Sequence, residues 1–577
     1  MRQTQFARNS APYFALLILA VAFTSPLFKN LHNTGANDWD YFCFSNEVAR
    51  ETIMKYHQFP LWNPFAAGGL PLHANPQSAF LRPAFILSLF FGCVIGLKIE
   101  VLLTVMAGMI GMFLLAKHYK MHPIAGVLTA SIFGLSSFFS LHIAEGHATF
   151  FAFYLLPYIF LFYLKSLDQE RNMLYAAIFI VLVIFAGAAF NVLPQASIFL
   201  LTYGIFSAFQ KKNFWPILSF VFIFLIVFFL GSIKIIPTLE YLFEHPRPME
   251  SSEVTPIKGI YHVFLNRIQV LGAHHMEPQT WGWHEFGAYT GIFPLILFMI
   301  GLWYFWKKEV ALILSGIFAF FISLGDFSPI SPWHLMHKMP LLESLHVPSR
   351  YIVIFIFCLA IVCGLSLDMI LKSIGNRKSK YLLLAILVFV IIDLLSVNSK
   401  TFTQAFPNQR QNILRNVDFQ QMNGPLANTD ASSAMYFNLL ANRGILNVYE
   451  PVPHQTFAKG LEDQHYKGEI HLDSGGNTSY RYWSPNKLIV RVQTENSTRV
   501  VINQNFDKGW RVKGGVAEDF NGLLSTNVSA GTKEVEFYYL PVSFVIGAII
   551  SLISAVCVFL LLASKSIYER LKGRLRK

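Results

Sequence analysis

Two aspartates stand close together just after the first long apolar run of the chain. Asp38 and Asp40 flank Trp39 in the stretch "TGANDWDYFCF", which runs from Thr34 to Phe44. Carboxylates at positions i and i+2 point to the same side of a strand or irregular segment and can then share a divalent cation, whereas on a helix they point apart. The spacing alone does not decide between these arrangements, so metal dependence stays open.

Two further polar pairs lie in short segments between apolar runs. Glu145 and His147 belong to "AEGHA", and His284 and Glu285 belong to "WGWHEFGAY". Each pair could line a cavity, although a solvated turn would also explain the first pair and an aromatic belt at a membrane interface the second. The histidines considered as zinc ligands lack the spacing of such a site, and no metal site is predicted from them: His245, His274, His275 and His284.

The surrounding sequence is too apolar for a soluble protein. Of 577 residues, 54% are hydrophobic and 14% are charged, with a mean hydropathy of +0.46, whereas soluble domains carry about 25% charged residues. Many runs reach the roughly 20 apolar residues that cross a bilayer as a helix. Four of the five cysteines lie in apolar runs and Cys43 stands alone, so no disulfide framework is expected. The composition predicts a polytopic α-helical membrane protein.

Basic residues lie in short clusters beside the apolar runs and account for the formal net charge of +12. This positive-inside pattern makes anionic lipid head groups their neighbours, and no nucleic-acid partner is expected. Placing the clusters inside puts both termini in the cytoplasm. It predicts twelve helices, over 11–28, 99–116, 123–140, 149–165, 173–190, 194–209, 214–236, 289–306, 310–325, 350–371, 381–398 and 541–563.

The first outer loop has several distinct parts. Residues 41–57 place their apolar positions on about half of a helical wheel, which predicts an amphipathic helix at the membrane surface. The proline-rich segment 58–83 carries hydrogen-bonding groups, among them Asn75 and Gln77, and is expected to form a cavity wall. The apolar run 84–96 is short for a crossing, and a crossing there would place every later basic cluster outside. We therefore expect an interfacial or re-entrant segment, which must pack on protein or line a cavity.

The outer segments and the apolar runs together predict three domains. Alternation with a period of two in "KLIVRVQT" and "TRVVINQN" predicts short antiparallel strands near the C-terminus. We expect a membrane domain over 1–398, with 29–98 as its first outer loop. A mainly β, sandwich-like extracytoplasmic domain is expected over 399–540. A last helix and a basic cytoplasmic tail follow over 541–577.

A set of motifs spread over most of the chain resembles a known family. They begin with "DWDYFCFSNEVARETI" and "QFPLWNPFAAGGLPLHANPQSAF" and continue through "AEGHATF", "HEFGAYTGIFPL" and "LGDFSPISPWHLMHKMPLLESLHVPSRY". The last are "FDKGWRV" and "SAGTKEVEFYYLPVSFVIG". These motifs resemble the YfhO-type family of bacterial membrane proteins, which are assigned to the GT-C fold class of glycosyltransferases. The resemblance implies a GT-C-like membrane domain with a closing β domain and a last helix.

The resemblance also implies a reaction and a set of site residues. A sugar on a polyprenyl phosphate would pass, with inversion, to an envelope glycan, lipid or protein on the outer face of the bacterial inner membrane. The loop after the first helix carries the base in such proteins, which implies Asp38 or Asp40 without deciding between them. Arg350 is implied as the partner of the lipid phosphate, which guanidinium binds in a bidentate manner. Further substrate-binding candidates are His346, Glu145, His147, His284, Glu285, Asn75 and Gln77. Such a donor requires no cofactor, although the aspartate pair would accept a divalent metal.

Two other functions are compatible with many helices. A transporter or flippase of lipid-linked sugars would be expected to show internal repeats and ionisable residues near the middle of the membrane. No clear repeat is present, and acidic and polar residues concentrate in the outer segments. A non-catalytic envelope assembly protein would tolerate loss of the acids. The concentration of polar groups outside the apolar runs favours chemistry at the membrane surface.

Overall fold

The computed structural model describes residues 2–575 except 270, 272–281, 340–341, 375–376 and 426–433. Most of the described chain is helical. The α-helices are α1 (Arg2–Thr24), α2 (Asp38–Met54), α3 (Phe85–Phe91), α4 (Cys93–His118), α5 (Pro123–Gly134), α6 (Ser137–Glu145), α7 (Leu156–Ser166), α8 (Asn172–Phe185), α9 (Val192–Lys211), α10 (Trp215–Glu244), α11 (Ile260–Leu265), α12 (Trp283–Phe286), α13 (Ile292–Phe305), α14 (Val310–Ser323), α15 (Pro332–His337), α16 (Ile352–Ser373), α17 (Arg377–Asn398), α18 (Ala434–Leu440) and α19 (Val542–Leu575). Short 3₁₀ helices cover Ser25–Phe28, Ala148–Leu155, Ile257–Gly259, Pro348–Tyr351 and Ser399–Gln404.

Nine helical segments of the described chain are long and apolar enough to cross a membrane. They are Ser10–Phe28, Cys93–His118, Pro123–Glu145, Ala148–Ser166, Val192–Lys211, Trp215–Glu244, Pro348–Ser373, Leu383–Gln404 and Val542–Ser564. Three shorter apolar helices are Asn172–Phe185, Ile292–Phe305 and Val310–Ser323. Each of these twelve segments overlaps one of the twelve predicted helices. The prediction of a polytopic helical membrane protein is therefore confirmed.

The chain divides into two compact units that are discontinuous in sequence. The first contains Met1–Leu31, Lys98–Phe228 and Pro248–Pro407. The second contains His32–Leu97, Phe229–Arg247 and Asn408–Lys577. The loop that follows the first candidate span thus belongs to the same unit as the C-terminal part of the chain.

Helix α16 forms the centre of the first unit. Every residue from Ile352 to Asp368 is buried, because α5, α13 and α14 all pack against α16. Helix α9 packs against α14, and α7 packs against α8. A helix that is covered on all sides must be apolar around its whole circumference, which explains the uninterrupted hydrophobic sequence of α16.

Two antiparallel four-stranded sheets form a sandwich in the second unit. Their strands, numbered along the chain, are β5 (Ile470–Leu472), β6 (Asn477–Ser484), β7 (Lys487–Thr494), β8 (Thr498–Asn505), β9 (Trp510–Val512), β10 (Glu518–Phe520), β11 (Leu523–Val528) and β12 (Gly531–Tyr539). The sheet orders are β10-β11-β8-β5 and β6-β7-β12-β9. Apolar side chains of both sheets, such as Val490 and Ile502, share one buried core, as period-two alternation requires. The prediction of a C-terminal β-sandwich-like region is confirmed.

Four shorter strands complete the second unit. They are β1 (Trp62–Asn63), β2 (Leu70–Pro71), β3 (Gln420–Met422) and β4 (Arg443–Ile445). Strands β1 and β2 pair antiparallel, and β3 and β4 pair parallel. The first loop and β4 are connected by two backbone hydrogen bonds of 2.9 Å, from the Ile445 N–H to the Phe65 carbonyl and from the Ala67 N–H to the Ile445 carbonyl.

The first outer loop differs from the sequence prediction in two respects. Helix α2 is present, but Tyr41–Ala49 are all buried, so the expected polar face does not remain exposed. The apolar run 84–96 breaks at Gly92, whose φ is +77°, a backbone conformation that glycine adopts without strain. The break leaves the short α3 before it and starts α4 at Cys93, so that α4 is longer than the predicted span 99–116.

Candidate functional site

The acidic pair lies in the first turn of α2, in the second unit. Helix α2 begins at Asp38, so the side chains of Asp38 and Asp40 diverge around the helix. The two Asp40 carboxylate oxygens accept hydrogen bonds from the backbone N–H groups of Met435 and Tyr436, each at 2.9 Å. These are among the first N–H groups of α18, which have no partner within their own helix. Asp40 therefore joins the start of α2 to the start of α18.

A second acid, which the sequence analysis missed, lies close to the same turn of α2. The side-chain amide of Asn75 donates to Glu450 Oε2 at 2.9 Å and to the hydroxyl of Tyr41 at 3.0 Å. Burial raises the pKa of Glu450 to about 8, although the hydrogen bonds from Asn75 and Tyr41 act in the opposite direction. The Glu450 carboxyl is therefore mostly protonated at neutral pH.

The loop that carries Asn75 is held by a buried lysine. Lys234 Nζ donates to the backbone carbonyls of His73 at 2.8 Å and of Asn75 at 2.6 Å. The Asn75 side-chain oxygen accepts from the backbone N–H of Gln77 at 2.9 Å. Both the nitrogen and the oxygen of the Asn75 side-chain amide thus form hydrogen bonds. This fixes the orientation of the amide that donates to Glu450.

Three histidines and two glutamates form a second cluster, in the first unit. Gly146 ends α6 with a φ of +103°, and this reversal brings the rings of His142 and His147 together, with their Nδ1 atoms 2.7 Å apart. The ring of His284 lies edge-on to that of His147, with centroids 5.8 Å apart. Both rings of the pair stack on Phe150. His142 was not predicted, because it lies within an apolar helix where no local pattern distinguishes it.

A buried ion pair borders the same cluster. Arg350 Nε lies 2.6 Å from Glu285 Oε2, and Arg350 Nη2 lies 2.5 Å from Glu285 Oε1. Ser349 Oγ donates to the Glu285 backbone carbonyl at 2.9 Å, which ties the 3₁₀ helix Pro348–Tyr351 to α12. Burial opposes ionisation of Glu285, but the charge and hydrogen bonds of Arg350 hold its pKa well below the usual range.

The imidazole rings of the cluster lie close to the charged side chains of Glu145, Glu285 and Arg350. His284 Nδ1 lies 3.8 Å from Glu145 Oε2, and His284 Nε2 lies 3.8 Å from Glu285 Oε1. Burial lowers the pKa of His147 to about 3, with the Arg350 charge acting in the same direction and Glu285 opposing it. His147 is therefore neutral at physiological pH, and a neutral imidazole can bind a metal through one ring nitrogen.

The predicted site residues are thus distributed over both units. Six belong to the first unit, where Glu145, His147, His284, Glu285 and Arg350 form one cluster and His346 acts electrostatically on His147. Four belong to the second unit: Asp38, Asp40, Asn75 and Gln77. Of the histidines considered as metal ligands, His274 and His275 lie outside the described residues.

Comparison with known proteins gives structural neighbours only. No family model matches the chain, and no curated protein sequence matches it. One solved structure that it resembles is the arabinofuranosyltransferase AftD from Mycobacteria, at 13% identity and a TM-score of 0.41, covering 69% of this chain and 27% of AftD. Another is ArnT from Cupriavidus metallidurans bound to undecaprenyl phosphate, at 12% identity and a TM-score of 0.39, covering 75% of this chain and 85% of ArnT. The chain thus spans about a quarter of AftD and most of ArnT.

Proposed function

We propose that this protein is a membrane glycosyltransferase. It transfers a sugar from a polyprenyl phosphate to an acceptor of the cell envelope, with inversion, on the extracytoplasmic face of the bacterial inner membrane. The proposal is supported by the sequence resemblance to the YfhO-type family and by the twelve apolar helical segments and the β-sandwich found in the described part of the chain. The observation that carries it is the pair of carboxylates in the first turn of α2, directly after the first candidate span.

Within that pair, we assign the base to Asp38. Transfer requires a carboxylate that takes the proton of the acceptor hydroxyl at hydrogen-bond distance. Both oxygens of Asp40 already accept backbone N–H groups of α18, so the hydroxyl of an acceptor would have to compete with these two hydrogen bonds. Asp40 then acts as a positioning residue that fixes the turn carrying Asp38.

Departure of the phosphate requires a cation that is already oriented. Arg350 has this property, because its ion pair with Glu285 fixes the plane of the guanidinium group through Nε and Nη2. A guanidinium has five N–H donors and binds phosphate oxygens in a bidentate manner. We assign His346 and the neighbouring His147 and His284 to the same phosphate region, and Asn75 and Gln77 to the cavity wall of the second unit.

The first experiment separates transfer from transport. Membranes that contain the wild-type protein or Arg350→Ala, at matched expression, are loaded with radiolabelled polyprenyl-phosphate sugars. We expect the wild type to form a labelled product that is no longer attached to the polyprenyl phosphate and Arg350→Ala to lose most of it. His118→Ala, in the last turn of α4, is the matched control and should transfer normally. If labelled lipid changes leaflet and no product forms in any variant, the protein is a transporter and the proposal fails.

A further inference from the structure

The histidine cluster of the first unit has a second property, which does not depend on glycosyl transfer. His142, His147 and Glu285 each present a ligand atom, and these three atoms all lie within 4.8 Å of one another. Ligands of a tetrahedral ion with bonds of about 2.0–2.1 Å are roughly 3.3 Å apart. The observed upper limit of 4.8 Å exceeds this value by about 1.5 Å. Small side-chain movements would therefore complete the geometry.

The described residues do not provide hydrogen-bond partners for every ring nitrogen of the His142–His147 pair. In a hydrogen bond between two neutral rings, one Nδ1 carries the proton and the other accepts it. The Nε2 atom of His142 is buried and has no hydrogen-bond partner among the described residues, and the residue itself is fully buried. A buried polar atom without a partner is uncommon and costs stability. The hydrogen bond between the two Nδ1 atoms therefore leaves the Nε2 atom of His142 as the nitrogen that can serve as a ligand.

The groups around the three ligands are those that accompany metal sites. Arg350 holds both oxygens of Glu285, and carboxylate ligands are commonly oriented by such an outer partner. Phe150 stacks on both rings of the pair, and Phe138 lies edge-on to His142. Glu145 adds a further negative charge at 3.8 Å from His284. The Glu285 and Arg350 charges cancel each other, so the remaining formal charge favours a cation.

We infer that His142, His147 and Glu285 bind a divalent transition-metal ion, with Zn²⁺ as the best match. Two imidazoles and one carboxylate form the ligand set of zinc sites that keep a fourth position open for water or substrate. Imidazole ligands argue against Mg²⁺ and Ca²⁺, which select oxygen. The open position can take an anionic oxygen, which is the group that a phosphate presents. This inference goes beyond the proposed function and stands if that function fails.

The test is metal binding by the full-length protein, purified in detergent without a histidine tag. The protein is stripped with a chelator, dialysed against Zn²⁺, and its metal content per chain is measured by mass spectrometry. We expect about one Zn²⁺ per chain in the wild type and at least about tenfold weaker binding in His142→Asn and His147→Asn. His118→Asn should bind like the wild type. Equal Zn²⁺ content in the wild type and the double variant His142→Asn/His147→Asn would overturn the inference.

A second measurement needs no variant and therefore does not depend on how well a core substitution folds. Co²⁺ replaces Zn²⁺ in the stripped wild-type protein, and its visible spectrum is recorded. Intense absorption bands of four-coordinate Co²⁺, which disappear when Zn²⁺ is added, are the expected result. The weak spectrum of hydrated Co²⁺ would contradict the site.

Discussion

Glu285 in the first unit and Glu450 in the second are both buried, and their pKa values are shifted in opposite directions. Glu285 in the first unit is held by Arg350, and its pKa lies well below the usual range. Glu450 in the second unit has the neutral partners Asn75 and Tyr41, and burial raises its pKa to about 8. The comparison shows that the partner, and not burial alone, decides whether a buried carboxyl is charged. The first unit holds fixed charges, whereas the second holds a carboxyl that can release a proton near neutral pH.

Breaking the ion pair should have the largest effect. Glu285→Ala leaves the Arg350 charge buried without its partner, which typically costs about 3–5 kcal/mol. We expect a large drop in the thermal midpoint of the detergent-purified protein. The double variant Glu285→Gln/Arg350→Met, which removes both charges, should recover much of the loss. If Glu285→Ala and the double variant are equally stable, the unpaired charge of Arg350 is not the cause of the lost stability.

The contribution of the Glu285–Arg350 pair to folding stability depends on pH with the opposite sign to the contribution of Glu450. The pKa of Glu285 is lowered in the folded state, so its contribution is present above its ordinary value near 4.5 and is lost as the pH falls below it. The pKa of Glu450 is raised, so its contribution is present below about 4.5 and is lost as the pH rises through about 8.

Replacing Glu450 should therefore change the alkaline side of the stability profile. In Glu450→Gln the side chain keeps its shape and cannot ionise, so the destabilisation of about 4 kcal/mol between pH 5 and 9 that the raised pKa of Glu450 implies should disappear. Denaturant unfolding at several pH values measures this difference. Glu495→Gln, in the exposed turn after β7, is the control and should keep the wild-type profile. Parallel profiles for Glu450→Gln and the wild type would show that Glu450 does not titrate in this range.

The smallest expected effect concerns the hydrogen bond from Asn75, which lowers the pKa of Glu450. Asn75 lowers the pKa of Glu450 by donating to its carboxylate, so Asn75→Ala should move the titration to higher pH. The expected change is of the size of one hydrogen bond to a charged group, about 1.5–3 kcal/mol before relaxation. The carboxyl stretching band of Glu450 in infrared difference spectra reports it directly. A shift to lower pH would contradict the assigned hydrogen bond.

The sequence predicted helices and strands better than it predicted which side chains contact each other. Apolar runs and period-two alternation are local signals, and they identified α16 and strands β7 and β8 close to their observed bounds. Glu285 and Arg350 were both named as candidates, but their pairing joins residues 65 positions apart and has no local pattern. His142 and Glu450 were missed because an apolar helix and a proline-rich loop gave no reason to single them out.

The conformation of the acidic pair shows the same limit. The spacing of Asp38 and Asp40 left strand and helix open, and the structure places both in the first turn of α2. Asp40 accepts hydrogen bonds from the start of α18, almost 400 residues later in the chain. This contact cannot be predicted from the local sequence, so the choice between the two carboxylates depends on the fold.

The most direct test of the proposed function is sugar transfer by Asp38→Asn and Asp40→Asn in one assay, with donor binding measured in parallel. The account predicts that Asp38→Asn lowers the transfer rate about 10²–10⁴-fold while donor binding is retained, as expected for loss of a general base. Asp40→Asn, which keeps an oxygen for α18, should lower it much less and should lower the thermal midpoint instead. Wild-type transfer by Asp38→Asn would contradict the assignment and, if neither variant is impaired, the catalytic role of this turn.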